Sequence, residues 1–422
     1  MDSLEHIASC IAGYDPQALP VTQAQEFISR MVPRVQAVER IAIRSALGRV
    51  LAHDVVSTFD VPAHDNSAMD GYAVRGMDLS DSAATLLPIA GTGFAGQRFE
   101  GIVAPAHAVR IMTGAVMPAG LDTVVPQEFT ALADDGRISI PAGVVRTGDN
   151  RRLRGEDLQR GAVALTGGRI LTPADLGLLA SLGMAEVPVF RRLRVAFFST
   201  GDELRSIGEP LPEGCVYDSN RYTIHGMLTR LGVELIDLGV VRDDPAALEA
   251  AFTQAADAAD AVITSGGVSV GEADHTKRIM ARLGDVLFWR IAMRPGRPMA
   301  IGRIRNAVLF GLPGNPVAVM VTFYAFVREA LLAMSGATPE PLPLLRAASE
   351  TPLRQKPGRT EYQRGVVSQA ADGRWQVRIT GAQGSGILSS MSEANGMVVL
   401  HHGQGNVAAG EAVDVIPFSG LV

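Results

Sequence analysis

A chain of 422 residues is too long for one hydrophobic core, so roughly two to four domains are expected. Its 47% hydrophobic content, 45 glycines and 5% aromatics describe a globular, loop-rich α/β protein. A net charge of −6 argues against nonspecific nucleic-acid binding but leaves room for an anionic small molecule held by local arginines.

The N-terminus, MDSLEHIASC, has no basic n-region and no long apolar run, so no signal peptide is expected. Cys10 and Cys215 form neither a disulfide framework nor a zinc motif, which suits a reducing cytoplasm. Helix is predicted up to about Arg30, with Pro20-Val21-Thr22 opening an apolar stripe from Ala24 to Met31. Ile41 and Ile43 alternate as in a strand, and Ala46 to Leu51 is expected to form a short helix. The loop from Asp60 to Val74 carries His64, Asp65, Asn66, Ser67 and Asp70, and its Pro, Asn, Ser and Gly content denies it regular structure. Such a loop is either a solvated turn or a functional one. Residues 75–145 alternate short strands with glycine turns, which predicts a small β-rich domain. Thr113 either ends a strand there or, with nearby amides, holds an oxyanion. Next, Arg151, Arg152 and Arg154 crowd between Asp149 and Asp157. They could grip an oxyanion or form a solvated charged turn, and Asp157 could accept a proton, join a metal or orient the arginines.

A helix from Ala174 to Leu182, with Pro173 at its start and Gly183 past its end, precedes a change of pattern. The strand Val195 to Phe198 runs into Thr200-Gly201-Asp202-Glu203. A helix from Asn220 to Leu231 leads to the strand Val233 to Leu238, and Asp244 is expected to cap a helix from Pro245 to Ala256. Ala261 to Thr264 is a β-branched run suited to a strand buried on both faces. Ser265, Gly266, Gly267, Ser269, Gly271, Glu272 and Asp274 follow it. Free amides, hydroxyls and acids in that loop suit phosphate plus a divalent cation; the alternative is an ordinary strand-to-helix turn.

A helix from His275 to Leu283 and strands at Val286–Ile291, Met299–Gly302 and Val308–Phe310 continue the alternation. The apolar run from Val317 to Val327 stops at Arg328-Glu329, a core helix too short to cross a bilayer. Such alternation predicts a doubly wound, mostly parallel sheet with its ligand at the strands' carboxyl ends. Four polar loops should converge there: Thr200 to Glu203, Asp243-Asp244, the glycine loop and Pro313-Gly314-Asn315. Neither a P-loop nor a dinucleotide fingerprint occurs. Beyond the proline-rich linker from Thr338 to Pro343, four short strands imply a small β-barrel or sandwich bearing the polar turn Thr380 to Ser385.

The segments DNSAMDGYAVR, RIMTGA, the arginine stretch from GDN to GED, STGDEL, SGGVSVGEAD and GLPGNP occur in an order that resembles MoeA-type molybdopterin molybdenumtransferases, and the chain is similar to the gephyrin E domain. The resemblance spans nearly the whole sequence. It implies an α/β multidomain protein: residues 1–57 with 155–190 as an elongated helical or mixed domain, 58–154 as an inserted β-rich domain, 191–337 as a doubly wound MogA/MoaB-like domain and 338–422 as a C-terminal β-barrel. It further implies a cytoplasmic homodimer that inserts molybdenum from molybdate into adenylylated molybdopterin with Mg2+, releasing AMP and forming molybdenum cofactor. A separate MogA-like adenylyltransferase and molybdoenzyme chaperones are implied partners; nucleic acid and membrane are not.

The family's functional residues match Asp70, Thr113, Asp157, Glu203 and Asp243 as catalytic groups, and Asp243 and Asp274 as Mg2+ ligands. Arg152, Arg154, Gly266, Gly267, Ser269, Arg290, Arg294, Pro313, Asn315 and Ser385 match as substrate binders. The active site is implied to be a cleft between the central domain of one subunit and the inserted domain of the other. Arg290, Arg294 and Arg297 stand where relatives often carry lysine, which keeps the charge but changes its shape. A pterin-holding scaffold without turnover and a nucleotide pyrophosphatase are the alternatives; the latter leaves residues 58–157 unexplained.

Overall fold

From Arg194 onward, strands and helices alternate as the hydrophobic pattern dictates. They are β1 (Arg194–Thr200), α1 (Ser219–Arg230), β2 (Glu234–Val241), α2 (Pro245–Ala258), β3 (Ala261–Ser265), α3 (His275–Leu283), β4 (Gly284–Arg290), β5 (Pro298–Ile304) and β6 (Ala307–Leu312). The computed structural model describes residues 3–268 and 275–419. It gathers the chain into two units: Met1–Ala52 with Gly168–Thr172 and Glu186–Val422, and His53–Gly167 with Pro173–Ala185.

The first unit is built on one six-stranded sheet of order β2-β1-β3-β6-β5-β4. Successive side chains of a strand point to opposite faces, and β1 shows the result. Val195 and Phe197 pack with Ile224 and Leu228 of α1, whereas Ala196 and Phe198 pack with Leu248 and Phe252 of α2. The rings of Phe198 and Phe252 meet edge to face, 5.1 Å apart. All five residues of β3 are buried, as expected of a central strand covered on both faces. Asp244 caps α2 as its sequence predicts, accepting a hydrogen bond from Ala247 N at 2.9 Å, with Pro245 in the first turn.

The pairs β2–β1, β1–β3 and β3–β6 are parallel, but β6–β5 and β5–β4 are antiparallel. A two-residue turn containing Arg305 at φ 53° reverses the chain between β5 and β6, so no crossover helix intervenes there. The helix after β6 is longer than its apolar run. It spans Pro316–Met334, with a π-turn at Phe323–Val327, and passes straight through Arg328-Glu329. At 19 residues and a mean hydropathy of 1.7 it meets the length and composition of a membrane span, yet 72% of its most apolar 18-residue stretch is buried inside the chain. Phe323, Phe326 and Val327 pack with Phe27, Ile28 and Met31 of the N-terminal helix Val21–Met31. Gln25 Nε2 donates to the Ala325 carbonyl within the π-turn.

Residues Ala46 to Leu51 do not form the expected helix. Gly48 takes φ +71°, its N–H donates to the Leu171 carbonyl, and Val50 and Leu51 bridge to Ile170 and Val189. Backbone pairing with later strands outcompetes the local helical preference of this short run. The C-terminal strands β7 (Leu345–Ser349), β8 (Thr360–Gln369), β9 (Trp375–Ile379), β10 (Gly396–Leu400) and β11 (Ala412–Pro417) close into a barrel of order β8-β9-β7-β11-β10, with β10 pairing back onto β8. Ala347, Val377, Val398, Leu400, Val413 and Val415 fill it. Arg294 and Met293 pair with the start of β8, which joins barrel to sheet.

The second unit is β-rich. A four-stranded sheet of Ile89–Gly93, Ala108–Ile111, Gly71–Val74 and Thr123–Pro126 buries Ala73, Val109, Ile111 and Val124. A second, three-stranded sheet of Thr85–Leu87, Ile138–Ile140 and Ala131–Leu132 adds Leu87, Ile138 and Ile140 to the interior.

Candidate functional site

The carboxyl ends of β1, β3 and β6 open into a cleft of about 820 Å³. Glycine makes its wall possible. Gly266 takes φ +95°, and a Cβ there would meet the Thr200 carbonyl oxygen at 2.5 Å; Gly267 takes φ +67°, and a Cβ would strike the Thr276 side chain at 2.6 Å. Only a residue without a side chain fits such conformations at such distances. The two glycines let the turn close against Thr200 and Thr276, and their main chain lines the cleft.

Thr200, Glu203, Asp243, Gly266 and Gly267 line this space together with Pro313, Gly314 and Asn315. The loop Arg294 to Pro298 and the barrel turn Gln383 to Ser385 complete it. Arg294 and Arg297 supply positive charge, Glu203 and Asp243 negative. Asp243 Oδ1 is buried and has no hydrogen-bond partner among the described residues, and the same holds for Thr200 Oγ1. The Asp243 backbone N–H donates to Asp202 Oδ1 at 3.3 Å. Among the described residues no group of three or more His, Cys, Asp or Glu gathers to hold a metal. A cation here would have one or two carboxylates and take its other oxygens from a ligand or water, which is how Mg2+ binds beside phosphates.

The barrel turn is held from behind. Arg364, 1% exposed, donates to Ser390 Oγ and to the carbonyls of Ala382, Gln383 and Gly384. Burial pushes its guanidinium down to about 10, with a smaller push from the charge of Arg294. Val317 N donates to the Ser385 carbonyl and pins the other end of the turn to the helix after β6.

Of the residues singled out in the sequence, Glu203, Asp243, Gly266, Gly267, Arg294, Pro313, Asn315 and Ser385 meet around this cleft. Arg290 does not line it. It ends β4 paired with Pro298, its backbone bonded to Pro16 and Leu19 and its side chain exposed. Ser269, Glu272 and Asp274 lie outside the described residues. Asn220 and Arg364 carry no functional signal in the sequence; Gln383 stands out there only as part of the polar turn Thr380 to Ser385, and Arg297 only as a departure from lysine. Asp218-Ser219 could have revealed Asn220: an aspartate cap moves the start of α1 to Ser219 and places Asn220 in its first turn, beside the strand ends.

Asp70, Thr113, Arg152, Arg154 and Asp157 belong to the second unit. Thr113 donates to Asp70 Oδ1 twice, from its backbone N–H and its hydroxyl, both at 2.7 Å. These bonds, the backbone one first, with Arg110 at longer range, hold the Asp70 carboxyl below its ordinary value. Arg154 is engaged by Asp60 at 2.5 Å and its backbone by Asp65, whereas Arg152 is exposed in a short pairing with Asn66. Asp157 is exposed, its N–H bonded to the Val61 carbonyl. A Thr113→Val substitution removes the hydroxyl bond at constant size, so the Asp70 carboxyl should titrate at higher pH than in the wild type, measured by carbon-detected NMR. The charged form is retained above the lowered value and lost only as pH falls through it, so the variant should lose it first on acidification.

Three family models cover most of the chain. Residues 19–183 match the MoeA N-terminal region (domain I and II), 196–333 the "Probable molybdopterin binding domain" and 346–418 the MoeA C-terminal region (domain IV). The sequence is 43% identical to the molybdopterin molybdenumtransferase of Haemophilus influenzae over 96% of this chain and 100% of the relative. It is 37% identical to the protein of that name from Nostoc sp., covering 94% of this chain and 93% of the relative. The crystal structure of the molybdopterin biosynthesis moeA protein from Pyrococcus horikoshii OT3 superimposes with a TM-score of 0.82 at 28% identity, over 94% of this chain and 99% of that one.

Proposed function

This chain belongs to the MoeA family of molybdopterin molybdenumtransferases, and on that footing we propose that it inserts molybdenum from molybdate into adenylylated molybdopterin, releasing AMP and completing molybdenum cofactor. The observation that carries the proposal is the cleft at the strand ends: a glycine turn, two arginines and a buried carboxylate oxygen without a protein partner among the described residues. These are the groups that an anionic nucleotide and a hard cation need together.

Gly266 and Gly267 let the main chain approach the phosphates. Arg294 and Arg297 offset their charge and orient them. Asp243 would hold Mg2+, with Asp274 as the second ligand, and Glu203 would act as the proton acceptor. The bound cation would polarise the phosphoanhydride and neutralise charge developing as it cleaves. Asp70 fixes the Thr113 hydroxyl and amide, and with Arg152 and Arg154 these residues would bind molybdate or the terminal phosphate, while Asp157 would serve as a further catalytic acid. The enzyme is proposed to work as a cytoplasmic homodimer, supplied by a separate adenylyltransferase and emptied by molybdoenzyme chaperones.

Incubation with adenylylated molybdopterin, molybdate and Mg2+ should release AMP and yield a cofactor that activates an apo-molybdoenzyme. AMP release independent of molybdate would instead mark a pyrophosphatase, and tight binding without turnover a scaffold; either result rejects the proposal.

A further inference from the structure

Asn220 is the second residue of α1 and only 8% exposed, although it lines the cleft. Its Nδ2 donates to Ser265 Oγ at 2.8 Å and to the Gly314 carbonyl at 2.6 Å. A backbone carbonyl can only accept, so the NH2 end of the amide must face Gly314, and both of its hydrogens are used. Ser265 ends β3 and Gly314 follows β6, so a single carboxamide from a third element spans two strand ends. The two loops are already in close contact there. Gly266 N donates to the Leu312 carbonyl at 3.1 Å, and a Cβ on Gly314 would lie 4.0 Å from the Gly266 Cα. Asn220 Oδ1 has no partner among the described residues, so the brace rests on the NH2 end, and any other spacing would strip the Ser265 hydroxyl or the Gly314 carbonyl of its donor.

Few other side chains would serve. Aspartate has the same size but would set a carboxylate oxygen against the Gly314 carbonyl and add negative charge to a cleft whose arginines await an anion. Alanine would leave Gly314 and Ser265 without their donor. We infer that Asn220 is a positioning residue that sets the distance between the Gly266-Gly267 turn and the Pro313-Gly314-Asn315 loop, and through it the grip of the cleft on a nucleotide phosphate. The identity of the ligand rests on the proposed function; the brace rests on the hydrogen bonds.

Hydrogen exchange of the full-length, ligand-free protein reads the brace directly. In Asn220→Ala, amides in segments 264–268 and 312–315 should exchange on the order of tenfold faster, while α2 and the barrel strands keep their rates. Calorimetric titration with AMP and Mg2+ reads the consequence. Asn220→Ala and Asn220→Asp should each bind AMP on the order of tenfold more weakly, and adding Ser265→Ala should cost less than additively. Should the alanine variant fail to fold, the isosteric aspartate variant carries both measurements. Unchanged exchange in the two segments, exchange accelerated everywhere alike, or wild-type AMP affinity in both variants would overturn the assignment. Locally faster exchange in a protein whose wild type binds no AMP would reject the nucleotide reading and leave the brace standing.

Discussion

An Asp243→Asn variant should lose molybdate-dependent AMP release by a factor of about 10² to 10³ while melting at the wild-type temperature or slightly above it. The two halves of this result have one cause. In the folded protein the Asp243 carboxylate keeps one oxygen buried with no hydrogen-bond partner among the described residues, and no ion pair reaches it there. Burying that oxygen without a hydrogen bond brings the fold no gain. Asparagine keeps the shape and drops the charge, so folding has nothing to lose. A hard cation, by contrast, depends on that charge. Titration with Mg2+ should show the half-saturating concentration moving upward in the variant, and kcat should remain depressed even at saturation. Wild-type turnover in Asp243→Asn would remove the cation site from this position.

The largest loss of stability should come from Gly266→Val. The added Cβ would lie 2.5 Å from the Thr200 carbonyl oxygen, which belongs to a central strand and cannot step aside. Valine is also among the residues least able to adopt φ +95°. Left-handed strain of about 1–2 kcal/mol adds to overpacking of about 1–3 kcal/mol, which lowers the melting temperature by roughly 2–6 °C in a protein of this size. Gly143 provides the control. It too has positive φ, +74°, but an added Cβ meets nothing within 4 Å, so Gly143→Ala should cost only about 1–2 kcal/mol. Thermal unfolding of the two variants side by side separates crowding from backbone strain. Equal shifts would mean that the Thr200 contact is relieved by local movement.

The central layer was legible because its signals are local. Ala261 to Ser265 is apolar or small throughout, and Asp244-Pro245 announces its helix in two residues. What failed was what depends on distant partners. Ala46 to Leu51 has helical composition, but its backbone pairs with Ile170, Leu171 and Val189, which no window around residue 46 contains. The strand Leu345–Ser349 went unseen because LRAAS holds no β-branched residue and directly follows a proline-rich linker. At the site, strand ends could be ranked by their polar loops, and Glu203, Asp243, Gly266, Gly267, Pro313 and Asn315 from those loops do share the cleft. Which arginine of a series faces it was not legible. Arg290, Arg294 and Arg297 look alike in the sequence, and only the hairpin bend after β4 sends the last two to the cleft and the first elsewhere. Asn220 escaped because a helix-start asparagine is usually explained by the helix itself.

The interleaving of the two units also bears on how the chain is made. The strand Val38–Ala42 leaves the ribosome early, yet its pairing partner Glu186–Phe190 is about 145 residues downstream. At translation rates of about 5–20 residues per second, that strand waits on the order of ten seconds with its edge unpaired. All of residues 53–167 emerge during the interval. The burial pattern of this early strand, in which Val38, Glu39, Arg40 and Ala42 stay exposed even in the finished fold, is well suited to the delay. An edge carrying Glu39 and Arg40 is a poor template for pairing with neighbouring nascent chains.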